Sequence, residues 1–168
     1  MLNTYDHPDA EKLATNVTGI VDSVADLIAR TRKRDDVELV YVNDNRGDFS
    51  AGSRDLVRAA LDGERPDLVK PIVPDEKCAF LTKVRHSAFY ATPLDYLLGR
   101  LEVKRIVLTG QVTEQCILYT ALDGYLRHLD VVVPPDAVAA IFPELGDAAM
   151  QMMQRNMSAE LVSSAECL

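Results

Sequence analysis

The chain has no tryptophan, three histidines, three cysteines and only 6% aromatic residues among its 168. The shortage of cysteine and histidine excludes two scaffolds. Cys78, Cys116 and Cys167 are odd in number and far apart, which opposes a disulfide framework. None sits in a CxxC pair and no His pair is closely spaced, so a structural zinc site is not expected. No apolar run approaches the ~18 to 20 residues that span a bilayer, and the polar start from Asn3 is unlike a secretory signal. A cytoplasmic location is expected, with no membrane contact. Basic residues are also scarce, 18 against 26 acidic ones, and a formal charge of -8 opposes binding to nucleic acid. The one basic cluster, Arg30, Arg32, Lys33 and Arg34, falls where a helix should end and cations offset its dipole. These exclusions leave a small molecule or another protein as the expected partner.

The chain does have apolar residues, 48% of the total, enough to bury the core of one domain spanning residues 1–168. Leu13, Val17, Ile20, Val21, Val24, Leu27 and Ile28 step at helical spacing, predicting one helix from Asp9 to Arg34. Val37 to Val42 reads as a buried strand, followed by the polar loop Asn43 to Asp48 and a helix from Ser53 to Leu61, capped by Ser53. Asp62 to Lys77, with three prolines, reads as connection. A strand from Cys78 to Val84 precedes a helix from Pro93 to Leu101 with Thr92 as cap. Lys104 to Thr109 is the next strand. The helix Thr113 to His128 should turn Ile117, Leu118, Ala121, Leu122, Tyr125 and Leu126 inward. Val131 to Val133, a helix from Leu145 to Asn156 and a strand from Glu160 to Ser163 complete the chain. Strands alternating with helices predict an α/β fold with a parallel sheet covered on both faces.

Chemistry concentrates at Cys116. Thr109 to Gln115 reads as strand end and tight turn, placing the cysteine in the first turn of a helix. Unpaired N–H groups and the helix dipole there favour a thiolate and can cradle an oxyanion. A small hydrophobe packed beneath the helix is the alternative. Lys83 closes another strand and would project at the same edge, where ligands of open α/β sheets bind; an exposed, hydrated lysine is its alternative. His128 lies at the far end of the Cys116 helix, about 18 Å away, and cannot act as its base. His86 follows Lys83 in a loop, and His7 has no ordering context.

Three segments together resemble the isochorismatase-like cysteine hydrolases, which include nicotinamidases and N-carbamoylsarcosine amidase. Lys83-Val84-Arg85-His86-Ser87-Ala88-Phe89 is similar to the family's Lys-x-x-x-Ser-Ala-Phe signature. Thr109 to Cys116, continuing to Thr120, Ala121 and Asp123, is similar to its nucleophile motif, and Val131 to Ala137 to the segment after its next strand. The resemblance implies a Rossmann-like, three-layer α/β/α fold with about six parallel strands. It implies Cys116 as nucleophile and Lys83 as its electrostatic partner. It also implies a cis peptide between Val112 and Thr113 that turns the N–H groups of Thr113 and Cys116 toward the substrate oxygen. Asn43, Asn45, Arg85, Ser87, Phe89 and Gln111 are then candidates for substrate contact, with Arg46 and Arg85 available to an anion. For Asn43 and Asn45 a turn-forming role competes, and for Phe89 core packing.

The sequence also departs from that pattern. Met1-Leu2-Asn3-Thr4-Tyr5 resembles the family's first motif beginning one residue after its aspartate, so the first strand and the expected general base are missing from these residues. Asp6 and Asp9 do not replace it. Either the natural chain begins about ten residues earlier, a strand's length with its approach, or the shorter chain is real and needs another segment to cover its strand edges. The loop Asn43 to Asp48 has no histidine, where nicotinamidases of the family hold a metal. No metal or other cofactor is expected. The expected reaction is hydrolysis of an amide or ureido C–N bond through a Cys116 thioester. Vinyl-ether hydrolysis of the isochorismatase type, or a silent binding relative, are the alternatives. The family also implies a homo-oligomer, with Met150, Met152, Met153 and Met157 either at an interface or in the core.

Overall fold

The helix expected from Asp9 to Arg34 forms as two, α1 (Ala10–Thr18) and α2 (Val21–Thr31). The N–H groups of Gly19 and Ile20 donate to carbonyls three residues back, Asn16 and Val17, at 3.1 and 3.0 Å. The hydroxyls of Thr15 and Thr18 donate to carbonyls four residues back, at 2.9 and 2.8 Å, a contact that bends helices. The apolar spacing survives the break, and Leu13, Val17, Ile20, Val24 and Ile28 share one buried cluster. The computed structural model describes residues 1–76 and 78–168. Lys77, the end of the expected connection, lies outside them.

Strand β1 (Val40–Asp44) starts later and ends later than the apolar run suggests, because its parallel pairing with β2 (Ala79–Lys83) begins at Val40↔Ala79 and reaches Asp44↔Lys83. Between them lie the expected helix α3 (Ser53–Leu61) and, in the stretch expected to be connection, the single-turn α4 (Pro66–Val69) and a 3-10 turn, Lys70–Ile72. Ser53 is inside α3 rather than its cap. Gly52 takes that place, and its N–H donates to Asp55 Oδ2 at 3.0 Å. Helix α5 (Leu94–Arg100) has Thr92 at its start, whose hydroxyl oxygen accepts the N–H of Leu94 at 3.2 Å.

The remaining elements are β3 (Arg105–Val107), β4 (Gly110–Gln111), a π-helical turn Thr113–Ile117 leading into α6 (Leu118–Leu126), β5 (Asp130–Val132), a 3-10 turn Pro135–Ala137, β6 (Val138–Ala139) and α7 (Pro143–Asn156). The final strand expected from Glu160 to Ser163 is reduced to a single parallel bridge, Val132↔Glu160.

Alternation along the strands builds three layers. Tyr41 and Phe80 pack with α1 and α2 on one face, while Val40, Val42 and Leu81 pack with Leu94 and Leu98 of α5 on the other. Val131 and Val133 meet Ile117, Ala121 and Met153, joining α6 and α7 to the sheet. Met153 and Met157 are therefore core residues, whereas Met152 is exposed. Helix α6 departs from its expected orientation. Ala121 and Gly124 face inward, because the ideal Cβ of residue 124 would fall 2.7 Å from Ile106 Cδ1 and the strands approach too closely for larger groups. Tyr119, Leu122, Tyr125 and Leu126 are exposed on its other side.

In place of one sheet of about six strands with its first strand missing, the strands form three separate parallel pairs, β1 with β2, β3 with β5, and β4 with β6. Among the described residues β1 and β3 are not hydrogen-bonded to each other, and both line one cleft of about 580 Å³. No helix among the described residues is long and apolar enough to cross a membrane.

Candidate active site

Parallel register places Asp44 and Lys83 side by side at the carboxyl ends of β1 and β2. Lys83 is 5% exposed, so its ammonium needs partners. It donates to Asp44 Oδ2 at 3.0 Å and to Cys116 Sγ at 3.5 Å. The ammonium thus bridges a carboxylate and a thiol. Asp44 belongs to none of the groups singled out from the sequence. With the strand taken to stop at Val42, Asp44 read as one of several loop acids. A visible signal was the lysine that ends the next strand, because parallel strands ending level bring their last side chains together.

Cys116 lies within the turn Thr113–Ile117, which is π-helical rather than the first turn of a regular α-helix, with Val112 as the preceding cap residue. The N–H groups of Gln115 and Ile117 both donate to the carbonyl of Val112, at 3.2 Å each. The cis peptide lies between Gln111 and Val112, one bond earlier than expected between Val112 and Thr113. Pairing in β4 ends at Gln111↔Ala139, so the chain leaves the strand before Val112. Thr113 is buried, and Val112 packs half-buried against the α1 and α2 cluster. Glu114 fixes this turn to the chain ahead of α7, since its Oε1 accepts the N–H groups of Ile141 and Phe142 at 2.9 and 3.1 Å.

The other candidates divide into separate groups. Asn43 donates from Nδ2 to the carbonyl of Leu2 at 3.2 Å, and Asn45 Oδ1 accepts the N–H of Gly47 at 3.0 Å. Both are buried, in turn-forming and chain-tying roles. Gln111 Oε1 accepts the hydroxyl of Tyr5 at 3.2 Å. Burial pushes that phenol up to about 12. Ser87 is bound through its hydroxyl to Asp123, and its oxygen accepts the N–H of Phe89 at 3.2 Å. Phe89 packs with Ala88, Leu94 and Leu98, with the Arg127 guanidinium 4.5 Å above its ring. Arg85 is exposed beyond β2, and the His86 ring lies 5.4 Å from that of Tyr119. Arg46 is bound to Asn3 and Thr4, and burial holds its guanidinium below the ordinary arginine value.

Two further features frame the site. The amino group of Met1 is buried beside it, and desolvation pushes that amine down to about 6, with repulsion from Lys83 and Arg46 adding to the effect and attraction to Cys116 opposing it. Asp136, in the third family-like segment, is not at the site. It accepts the N–H and hydroxyl of Ser164 at 2.8 and 2.6 Å, tying the C-terminal residues to the turn before β6. Burial pushes that carboxyl up, but the Ser164 hydrogen bonds prevail and hold it below the usual carboxylate range. Among the described residues no three His, Cys, Asp or Glu side chains converge as a metal site.

A three-layer α/β/α fold with lysine and cysteine meeting where the strands end defines the class as a Rossmann-like hydrolase. The chain belongs to the isochorismatase family: the model of the isochorismatase domain matches residues 3–166. It is 30% identical over 168 residues to the uncharacterized isochorismatase family protein YaaI of Bacillus subtilis, a match covering all of this chain and 92% of that protein. Ureidoacrylate amidohydrolase RutB of an Enterobacter species is 35% identical over 82 residues, 49% of this chain and 36% of that enzyme. Among solved structures, N-carbamoylsarcosine amidase of Thermoplasma acidophilum aligns with a TM-score of 0.70 and 26% identity, covering 90% of this chain and 86% of that one. The protein is thus an isochorismatase-family hydrolase.

Proposed function

We propose that the protein hydrolyses the C–N bond of a small amide or ureido compound through a thioester on Cys116. The observation that carries this reading is the contact of Lys83 Nζ with Cys116 Sγ at 3.5 Å, backed by Asp44 at 3.0 Å. A cation against sulfur stabilises the negative charge of the attacking form. Sulfur adds to the substrate carbonyl carbon, and the electron pair of the C=O bond moves to oxygen. The N–H groups of Thr113 and Cys116, at the start of a helical segment where amides lack intrahelical acceptors, are the proposed donors to that oxyanion. Collapse breaks the C–N bond, and the leaving nitrogen takes a proton from the Lys83 ammonium. Water then attacks the thioester carbonyl, giving its proton to the Lys83 amine as the C–S bond breaks. Asp44 holds Lys83 in place through both steps and balances its charge. Neither step calls for a metal ion or other cofactor.

The amide reading has the amidase and ureido-hydrolase relatives in its support. A panel containing a simple carboxamide, an N-carbamoyl amino acid, a ureido acid and a vinyl-ether acid tests it. Ammonia release from one or more nitrogen substrates, with the vinyl ether untouched, is expected. Turnover of the vinyl ether alone would replace the C–N reading with vinyl-ether hydrolysis, and a completely silent panel would favour a binding role.

A further inference from the structure

The two motifs that supply Lys83 and Cys116 also bind each other away from the reacting atoms. Thr120 stands buried on α6, four positions after Cys116. Its oxygen accepts the N–H of Ala88 at 2.9 Å. The Ala88 amide can only donate, so the single hydroxyl hydrogen is left for the carbonyl of Cys116, 2.6 Å away. A threonine inside a helix commonly returns its hydroxyl to the carbonyl one turn back, as Thr15 and Thr31 do in α1 and α2. Thr120 adds an acceptor role toward a distant part of the chain, the loop that leaves β2 directly after Lys83.

That second role matters because sheet register does not relate Lys83 to Cys116. Among the described residues β2 pairs only with β1, and β4, which leads into the Cys116 turn, pairs only with β6. The 3.5 Å contact of ammonium and sulfur therefore depends on what joins the loop after β2 to the start of α6. Two hydrogen-bonded ties do so. The Ser87 hydroxyl is bound to Asp123, but that carboxylate is 32% exposed, is shared with Arg127 and lies farther along α6 than Thr120. Thr120 is buried and holds the backbone of Cys116 itself. It closes a ring that runs from Lys83 along the loop to Ala88, through the hydroxyl to Cys116, and back from sulfur to ammonium.

We propose that Thr120 is a positioning residue of the active site, holding the Cys116 sulfur at its contact distance from Lys83 by clasping Ala88 and Cys116 with one hydroxyl. The proposal rests on the reading of Cys116 as nucleophile and Lys83 as its countercharge. Without the hydroxyl the buried N–H of Ala88 has lost its acceptor, and the loop must shift to reach another one or water. Lys83 stands at the head of that loop and moves with it. A displacement of about 1 Å at a reacting contact can cost about 10²-fold in rate.

Alkylation of Cys116 by iodoacetamide, followed across pH by mass spectrometry of the peptide that carries it, tests the proposal without a substrate. In Thr120→Val, which keeps the shape and removes the hydroxyl, the rate at neutral pH should fall about tenfold and the profile should move to higher pH, whereas Thr120→Ser should stay within about twofold of the parent. Val69→Ala, which opens a cavity at a buried position on α4, should lower the melting temperature and leave the alkylation profile in place. With a turned-over amide, Thr120→Val should lose about 10 to 100-fold in kcat with KM little changed. If valine prevents folding, Thr120→Ala replaces it. A variant without the hydroxyl that is alkylated like the parent, a serine variant as slow as valine, or a Val69→Ala protein slowed equally would overturn the positioning role and leave the roles of Cys116 and Lys83 standing. A parent protein whose Cys116 reacts no faster than a small free thiol would overturn the reading on which the role rests, and the role with it.

Discussion

Cys116→Ala should lower the turnover of any substrate found in the panel by at least about 10⁴-fold, because the proposed reaction forms its acyl intermediate on this sulfur. The loss should not come from unfolding. Alanine leaves the Lys83 to Asp44 contact at 3.0 Å, and Cys116 is only partly buried at the rim of the turn. Unfolding midpoints in denaturant should therefore stay close to the parent's. Cys116→Ser is the sharper variant, since it keeps the size and one polar atom but replaces a good nucleophile with a poor one that has no base beside it. It should be as inactive as alanine. A serine or alanine variant retaining a tenth of parental turnover would remove Cys116 from the bond-making step and leave Lys83 and Asp44 as the groups to explain catalysis.

Lys83→Met should give the next largest loss, about 10² to 10⁴-fold in kcat with little change in KM, the signature of a group that handles charge and protons in the transition state. Methionine is an unbranched apolar side chain suited to this buried position, so packing survives. What disappears is the countercharge to sulfur and the proton carried to the leaving nitrogen. Asp44 is left without its cation, yet its side chain is 39% exposed and water can replace the contact. The expected stability loss is accordingly about 1 to 2 kcal/mol, below the usual penalty for breaking a fully buried pair. Lys83→Arg should not restore the rate, because a planar guanidinium cannot occupy the point between Asp44 and Cys116 and does not give up a proton. Asp44→Asn keeps a hydrogen-bond acceptor beside Lys83 and should cost about tenfold, the smaller effect of a positioning residue. Kinetics with and without a nucleophilic acceptor such as hydroxylamine separate the two steps proposed for Lys83.

The meeting of the Cys116 turn with Lys83 was legible in the sequence for a simple reason. Both lie at the ends of apolar strands, and strand ends in parallel sheets converge on one edge whatever the details between them. The inward position of Ala121 was readable from helical spacing. The break at Gly19 was not, since Leu13 to Ile28 keep helical spacing across it and the cause lies in local hydrogen bonds of Thr15 and Thr18. Asp44 escaped because β1 extends past its apolar residues, and only register with β2 reveals that it faces Lys83. The outward face of α6 escaped because Tyr119, Leu122, Tyr125 and Leu126 are apolar yet exposed, while the inward positions are small. Small inward residues reflect close approach to β3 and β5, which hydrophobicity along one helix does not encode. The cis bond fell one residue early because the end of β4 pairing at Gln111 sets where the turn starts. Among the candidates for substrate contact, Asn43 and Ser87 have their polar groups bound to distant parts of the chain and Asn45 to its own turn, contacts that residue type near a motif does not encode.

The central claim is that Cys116 Sγ becomes covalently acylated. Mixing the enzyme with a turned-over amide, quenching in acid within the first turnovers and mapping the protein by mass spectrometry tests it most directly. The account predicts a mass increase equal to the acyl group, confined to the peptide containing Cys116 and accumulating when the water step is slow. An enzyme that turns over the same substrate at full rate while Cys116 stays unmodified, or that carries the acyl group on another residue, would contradict it.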